Sequence, residues 1–217
     1  MSDAARERIL GNIRKSTGGG ISERTAVAQR IATHPRGVIP ARASITGKDA
    51  LTAFIARLKA ASITVAEAAQ LGEVPRLAAD YLRANNLPAR LRMGADADLA
   101  GLDWQSEVLR GKAEGSDEVS IAKAFAGVAE TGTLVLTSGP ANPTTLNFLP
   151  ETEIIVIRIA DVVGGYEDAW DRLRAVYGND LPRTINWVSG PSRTADIEQT
   201  IVMGAHGPRR LHVIVSG

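Results

Sequence analysis

Glu153-Ile154-Ile155-Val156-Ile157-Arg158-Ile159 decides how the rest of this chain is read. Four β-branched aliphatic residues in succession, with no polar alternation, suit a strand buried on both faces of a sheet. Downstream, Tyr166, Ala169, Trp170, Leu173 and Tyr177 fall at helical spacing, and Gly178 ends the pattern. Residues 184–188 and 211–215 return to strand character. Upstream, Leu51, Phe54, Ile55 and Leu58 make one amphipathic helix, and Val74, Leu77, Ala78, Tyr81 and Leu82 make another that ends near Asn85-Asn86. Strand candidates at 63–65, 89–93 and 133–136 lie between and after these helices. Strands separated by helices predict an α/β fold: a mixed, mostly parallel sheet with helices on both faces.

The 217 residues carry a formal net charge of +1, with 44% hydrophobic, 23% charged and 4% aromatic residues. That balance excludes wholesale disorder, collagen and coiled coil. The absence of cysteine excludes disulfides, thiolate metal sites and cysteine nucleophiles. The apolar run at Ile154–Ile157 falls far short of the roughly 20 residues that cross a bilayer. Residues 1–14 mix Arg, Asp and Glu and contain no secretory apolar core. A soluble, cytoplasmic protein without a membrane span is expected.

Residues 1–46 hold eight Arg or Lys against three Asp or Glu, leaving 17 against 21 in the remainder. Ser2 or Asp3 can cap a first helix with a stripe of Ile9, Leu10 and Ile13. Gly18-Gly19-Gly20 interrupts it, and residues 21–45 show no clean period. The reading is a helix and a flexible basic arm over 1–46, followed by an α/β domain over 47–217. The dispersed arginines have no interleaved aromatics, so nucleic-acid binding is not expected.

Small and polar residues gather where strands meet loops. One group is Glu130, Thr131, Gly132 and Thr133, and a second is Ser138-Gly139-Pro140. A third runs Ser189, Gly190, Pro191, Ser192, Arg193, Thr194, Ala195, Asp196, Ile197, Glu198, and a fourth contains Gly204, His206 and Gly207. In open α/β sheets, ligands bind outside the carboxyl ends of strands. A short helix expected over 195–203 would add free N–H groups there, beside the hydroxyls of Ser192 and Thr194 and the guanidinium of Arg193. The plainer alternative is a turn with an ordinary helix cap at Thr194 or Asp196. Glu130 is either a partly buried acid–base group or a carboxylate that accepts backbone N–H bonds. His212, in the last strand, is expected to alternate outward. No zinc, P-loop or dinucleotide fingerprint occurs, and no metal or cofactor is expected.

Three stretches in order, Ala129-Glu130-Thr131-Gly132-Thr133-Leu134-Val135-Leu136, Ser189-Gly190-Pro191-Ser192-Arg193-Thr194-Ala195-Asp196-Ile197-Glu198 and Gly204-Ala205-His206-Gly207-Pro208, resemble the signature of the lactate-utilisation protein C (LutC/YkgG, LUD domain) family. The likeness covers roughly residues 48–217 and is strongest after Gly127. It implies the Rossmann-like fold of the ribose-phosphate isomerase, glucosamine-phosphate isomerase and CoA-transferase superfamily. It also implies an accessory role in bacterial oxidation of L-lactate to pyruvate, beside Fe–S-containing lactate-utilisation proteins. A small anionic metabolite would then bind at the loops. The alternative is an enzyme of CoA-transferase or isomerase type, with Glu130 as base or nucleophile, because Glu130-Thr131-Gly132 is similar to the Glu-x-Gly of CoA-transferases.

Overall fold

Ile154, Ile155, Val156 and Ile157 are all fully buried, because helices and a second sheet cover the sheet that carries them. The computed structural model describes residues 3–16, 21–195, 201–203 and 206–217. The chain divides into two units, Met1–Val38 and Ile39–Gly217. In the first unit lie α1 (Asp3–Ser16) and α2 (Ile21–Thr33). The second unit begins with α3 (Gly47–Ala60), β1 (Thr64–Ala68), α4 (Val74–Ala84), β2 (Arg90–Met93), α5 (Ala97–Ala100) and β3 (Glu107–Arg110). It continues with β4 (Val119–Lys123), β5 (Ala126–Val128), β6 (Thr133–Thr137), β7 (Thr152–Arg158), β8 (Val162–Val163) and α6 (Tyr166–Tyr177). Its last elements are β9 (Ile185–Val188), β10 (Arg193–Ala195), β11 (Ile201–Met203) and β12 (Arg210–Ser216).

The main sheet has six strands in the order β1-β12-β7-β4-β2-β3, every pairing parallel. On β7, Ile155 and Ile157 enter one core with Phe54 and Leu58 of α3, while Ile154 and Val156 enter the other with Val74, Ala78 and Leu82 of α4. This two-sided burial explains the unalternated run. Each fully buried Leu or Phe there contributes roughly 1.5–3 kcal/mol of hydrophobic stabilisation.

A second sheet, β8-β5-β6-β9, covers the α3 side. Its β5–β6 and β6–β9 pairings are antiparallel. Leu134 and Leu136 of β6 point into the α3 core, whereas Val135 joins Ala169 and Leu173 of α6 in a third cluster. Residues 133–136 and 184–188 are therefore strands as expected, but they pair antiparallel with each other in this second layer. Gly132, with φ +72°, makes the β5–β6 turn, and a Cβ there would stand 2.7 Å from the Cβ of Arg57 on α3.

Three sequence expectations are corrected. Residues 21–33, read as part of an arm without period, form α2. Its Val27 and Ile31 are exposed, so the helix has local propensity without a buried stripe to announce it. Residues 195–203 do not open as a helix, because Arg193–Ala195 and Ile201–Met203 pair as antiparallel strands. Thr194, Ile201 and Val202 are β-branched and favour that outcome. His212 points inward, 5% exposed, and stacks on Tyr81 of α4 with ring centroids 4.0 Å apart. The triple glycine at 18–20, with Asp196, Glu198 and Gly204, lies outside the described residues.

Candidate functional site

Antiparallel pairing of β6 with β9 sets Leu134 beside Val188, so the start of one strand meets the end of the other. That register joins two of the stretches singled out in the sequence. Thr133 Oγ1 lies 2.6 Å from Ser189 Oγ, 2.6 Å from Thr131 Oγ1 and 2.8 Å from the Tyr166 hydroxyl of α6. Thr131 donates to Tyr166 at 3.0 Å, which closes a ring of hydroxyls beneath the Ser189 loop.

Beside this ring is a cavity of about 230 Å³ lined by Asn147, Phe148, Trp187, Val188, Ser189, Gly190, Ser192, His206, Gly207, Pro208 and Leu211. Ser192 and His206 are tied together, since the His206 backbone N–H donates to Ser192 Oγ at 3.3 Å and the Ser192 N–H donates to the Pro208 carbonyl at 2.8 Å. Gly190 adopts φ +143°, a conformation that L side chains rarely take, and it turns the chain at the end of β9. The cavity opens at the amino end of β7 and β12, marked by Leu211, and β9 contributes its carboxyl end. Only the second sheet, through β9, thus follows the strand-end placement expected for ligands.

The other sequence-derived candidates lie elsewhere. Ser138 and Gly139 are at the far end of β6, where the Ser138 hydroxyl accepts the Thr184 N–H at 2.9 Å. Glu130 is nearly buried in the β5–β6 turn, and Arg42 holds its carboxylate at 2.9 Å. Its backbone N–H donates to the Gly164 carbonyl at 2.9 Å. Both halves of the residue thus have structural partners, and it does not line the cavity. Arg193 donates to Ser62 Oγ at 2.5 Å on an exposed surface. Thr194 stands in β10 beside Val202.

Sequence reasoning missed Asn147, Phe148, Trp187 and Leu211 in the wall, and Tyr166 in the hydroxyl ring. It also passed over Glu153, the acid that opens the apolar run. Glu153 is 0% exposed, and neither carboxylate oxygen finds a partner among the described residues. It stands in register with Leu211 on one side and Ser120 on the other, and aligned residues of parallel strands share a sheet face. Ser120 in turn donates to the Leu146 carbonyl at 2.7 Å, next to Asn147. Burial pushes the Glu153 carboxyl up to about 8, which favours its protonated form at neutral pH. On the opposite face, burial pushes the His212 imidazole down to about 4, against the opposing effect of its contact with Thr64.

The comparisons with known proteins agree with this architecture. A crystal structure of a DUF162 family protein from Deinococcus radiodurans superposes with a TM-score of 0.63 over 80% of this chain and 99% of that one, at 22% identity, a likeness of fold. Lactate utilization protein C of Halalkalibacterium halodurans is 39% identical over 113 residues, 51% of this chain and 49% of that protein. The protein of the same name from Geobacillus thermodenitrificans is 34% identical over 116 residues, 52% of this chain and 48% of that protein. The Bacillus subtilis one is 29% identical over 119 residues, 52% of this chain and 50% of that protein. The chain thus spans about half the length of the curated relatives it matches. Among the described residues no helix is long and apolar enough to cross a membrane. The model of the LUD domain family matches residues 3–216, N-terminal helices included, and the chain belongs to that family.

Proposed function

We propose that this chain is an accessory component of a lactate-utilisation system and that it binds a small anionic metabolite in the cavity beneath the Ser189 loop. The observation that carries this reading is the meeting of Ser189, Gly190, Ser192, His206 and Gly207 around one cavity, although a stretch of chain separates the two groups. The relatives named lactate utilization protein C support a role associated with lactate utilisation. A volume of about 230 Å³ is below the roughly 300–1,000 Å³ of drug-sized sites, which favours a short acid over a CoA thioester. Fe–S-containing lactate-utilisation proteins are the proposed partners.

The test is calorimetry and thermal shift of the whole chain with L-lactate, pyruvate, acetyl-CoA and ribose 5-phosphate, in parallel with Ser192→Ala. A short carboxylate that binds the wild type and is weakened by Ser192→Ala supports the reading. Binding only by acetyl-CoA or ribose 5-phosphate, or by nothing, overturns metabolite recognition as stated.

The second reading, an enzyme with Glu130 as base or nucleophile, draws on the ring of hydroxyls that links Thr131, next to Glu130, with Ser189 of the cavity wall. Against it stands the ion pair of Glu130 with Arg42. Glu130→Gln separates the two. An enzyme loses turnover by orders of magnitude with binding kept, whereas the accessory component keeps its ligand and its partner.

A further inference from the structure

On the α4 side of the main sheet, a second cavity of about 240 Å³ follows from the way that helix ends. Asn86 stands at φ +52° and reverses the chain. The Leu87 N–H then donates to the Leu82 carbonyl at 2.9 Å, and the Asn86 N–H to the Arg83 carbonyl at 3.2 Å. This left-handed stop brings Leu87 back onto Leu82 in the α4 core. Ala79, Leu82 and Arg83 present one strip of the helix to the cavity, at i, i+3 and i+4. The other wall has Ala89 and Ser106, which lead into β2 and β3 and are tied together by the Glu107 N–H on the Ala89 carbonyl at 2.9 Å. Because α4 packs on β1 and β12, the space toward the edge strand β3 is left to this cavity.

The lining is apolar at four positions and polar at three. Ser106 is 9% exposed, and its hydroxyl has no hydrogen-bond partner among the described residues, so at that depth it is satisfied only by what enters the cavity. Arg83 gives Nη1 to Asp80 at 3.0 Å, in an exposed pair of the kind that contributes little, and its other N–H groups have no partner among the described residues. Asp80 is held by Arg76 as well, so its charge is doubly countered. The third polar residue, Gln105, is an amide. With no group in the wall that titrates near neutrality, the cavity is suited to holding a molecule and not to proton transfer.

We infer that this cavity binds an aliphatic monocarboxylate, its tail against Leu82 and Leu87 and its carboxylate accepting from Arg83 and Ser106. One guanidinium fork matches a carboxylate, whereas a phosphate dianion would keep uncompensated charge beside an apolar wall. A cationic ligand finds no carboxylate among the lining residues. The volume lies below the roughly 300–1,000 Å³ of drug-sized sites, which limits the tail to a short chain. The site is separate from the cavity beneath the Ser189 loop. Leu211 of that cavity belongs to the α3 core and Leu82 to the α4 core, on opposite faces of the main sheet, and neither site depends on the other.

The experiment is calorimetry of the whole chain at pH 7 with 4-methylvalerate, its neutral amide and acetate. 4-Methylvalerate is expected to bind at least about tenfold more tightly than acetate, which lacks the tail. It is expected to bind at least about threefold more tightly than the amide. Ala79→Leu, which suits a helix and fills the cavity, is expected to weaken 4-methylvalerate by at least about tenfold, whereas Ser192→Ala in the other cavity leaves it unchanged. Arg83→Gln, at an exposed position that tolerates the change if the Leu variant does not fold, is expected to bring acid and amide within about twofold of each other. An acid bound no better than its amide, or a preference that survives Arg83→Gln, overturns the carboxylate assignment, and acetate bound as tightly as 4-methylvalerate overturns the aliphatic one. Unchanged affinity in Ala79→Leu, loss of binding in Ser192→Ala, or binding of none of the three overturns the site itself.

Discussion

Ser138-Gly139-Pro140 and Ser189-Gly190-Pro191 are the same three residues in two settings. Each follows a strand of the antiparallel sheet, and those strands run in opposite directions, so the loops sit at opposite ends. Around Ser138 the chain closes on itself. Its hydroxyl and its N–H both engage Thr184, Gly139 and Asn142 exchange backbone hydrogen bonds, and Pro140 accepts the Ala95 N–H at 2.9 Å. Around Ser189 the hydroxyl turns inward to Thr133, and the following residues line a cavity. A tripeptide encodes a turn, whereas the strand partner and the neighbouring layer decide whether that turn is closed or becomes a wall.

The largest expected effect concerns the acid that only the Ser189 side has behind it. Glu153 has its folded pKa raised from 4.5 to about 8, so between those values the native state holds a proton that the unfolded chain has lost. Stability therefore falls as pH rises through that window. His212 has the opposite sign, because its pKa is lowered from 6.5 to about 4 and stability falls as pH drops through that range. Around Glu153, Ser120 and Leu211 are neutral, and His212 faces Tyr81 and Thr64, with Arg210 acting on Tyr81. The two effects offset one another from about 4.5 to 6.5. Above that, wild-type stability is expected to drop by about 2 kcal/mol by pH 8, at a slope of about 1.4 kcal/mol per pH step. Denaturant unfolding of wild type and Glu153→Gln at pH 6 and 8 checks this. A decline of equal size in both proteins assigns the effect elsewhere.

The two glycines sharpen the contrast next. Gly190 stands at φ +143°, whereas Gly139 has neither positive φ nor any atom within 4 Å of a built Cβ. Gly190→Ala is expected to cost about 1–2 kcal/mol, and Gly139→Ala to stay within about 0.5 kcal/mol of wild type. Equal costs in chemical denaturation would mean that the loops are constrained alike.

The serines give the smallest change in stability. Ser138→Ala and Ser189→Ala each remove a hydrogen bond worth about 1 kcal/mol, so thermal melts are expected to leave them close together. Ligand titrations are expected to separate them, since only Ser189 borders the cavity. Loss of binding in Ser138→Ala would move the site to the other end of β6.

These contrasts follow what the sequence makes legible. The run at 153–159 identifies itself because β7 is buried on both faces, and the spacings of Phe54 and Leu58 or Ala78 and Leu82 identify helices with one buried side. Residues 21–33 have no such stripe, so α2 goes unread. The Gly- and Pro-marked segments at Ser189–Ser192 and His206–Gly207 are visible as loops. Their shared cavity is not, since the β9–β6 register and a 3-10 turn at Thr144–Asn147 bring it together. Asn147 looks like an ordinary turn residue within Thr-Thr-Leu-Asn-Phe until packing against β4 buries it. Glu153 reads as the polar start of a strand, and only the layer above it reveals a desolvated acid.

The order of strands in the main sheet has a consequence for how the fold is made. β12, the last strand in chain order, lies between β1 and β7, and its His212 meets Thr64 across 148 positions. During synthesis β1 and β7 emerge long before the strand that joins them, and until then each presents an open edge. Closure of the sheet therefore waits on long-range contacts, the kind that slow folding. In that interval the gap between β1 and β7 is where a foreign strand can pair, which makes it the point of this fold most in need of protection on the ribosome.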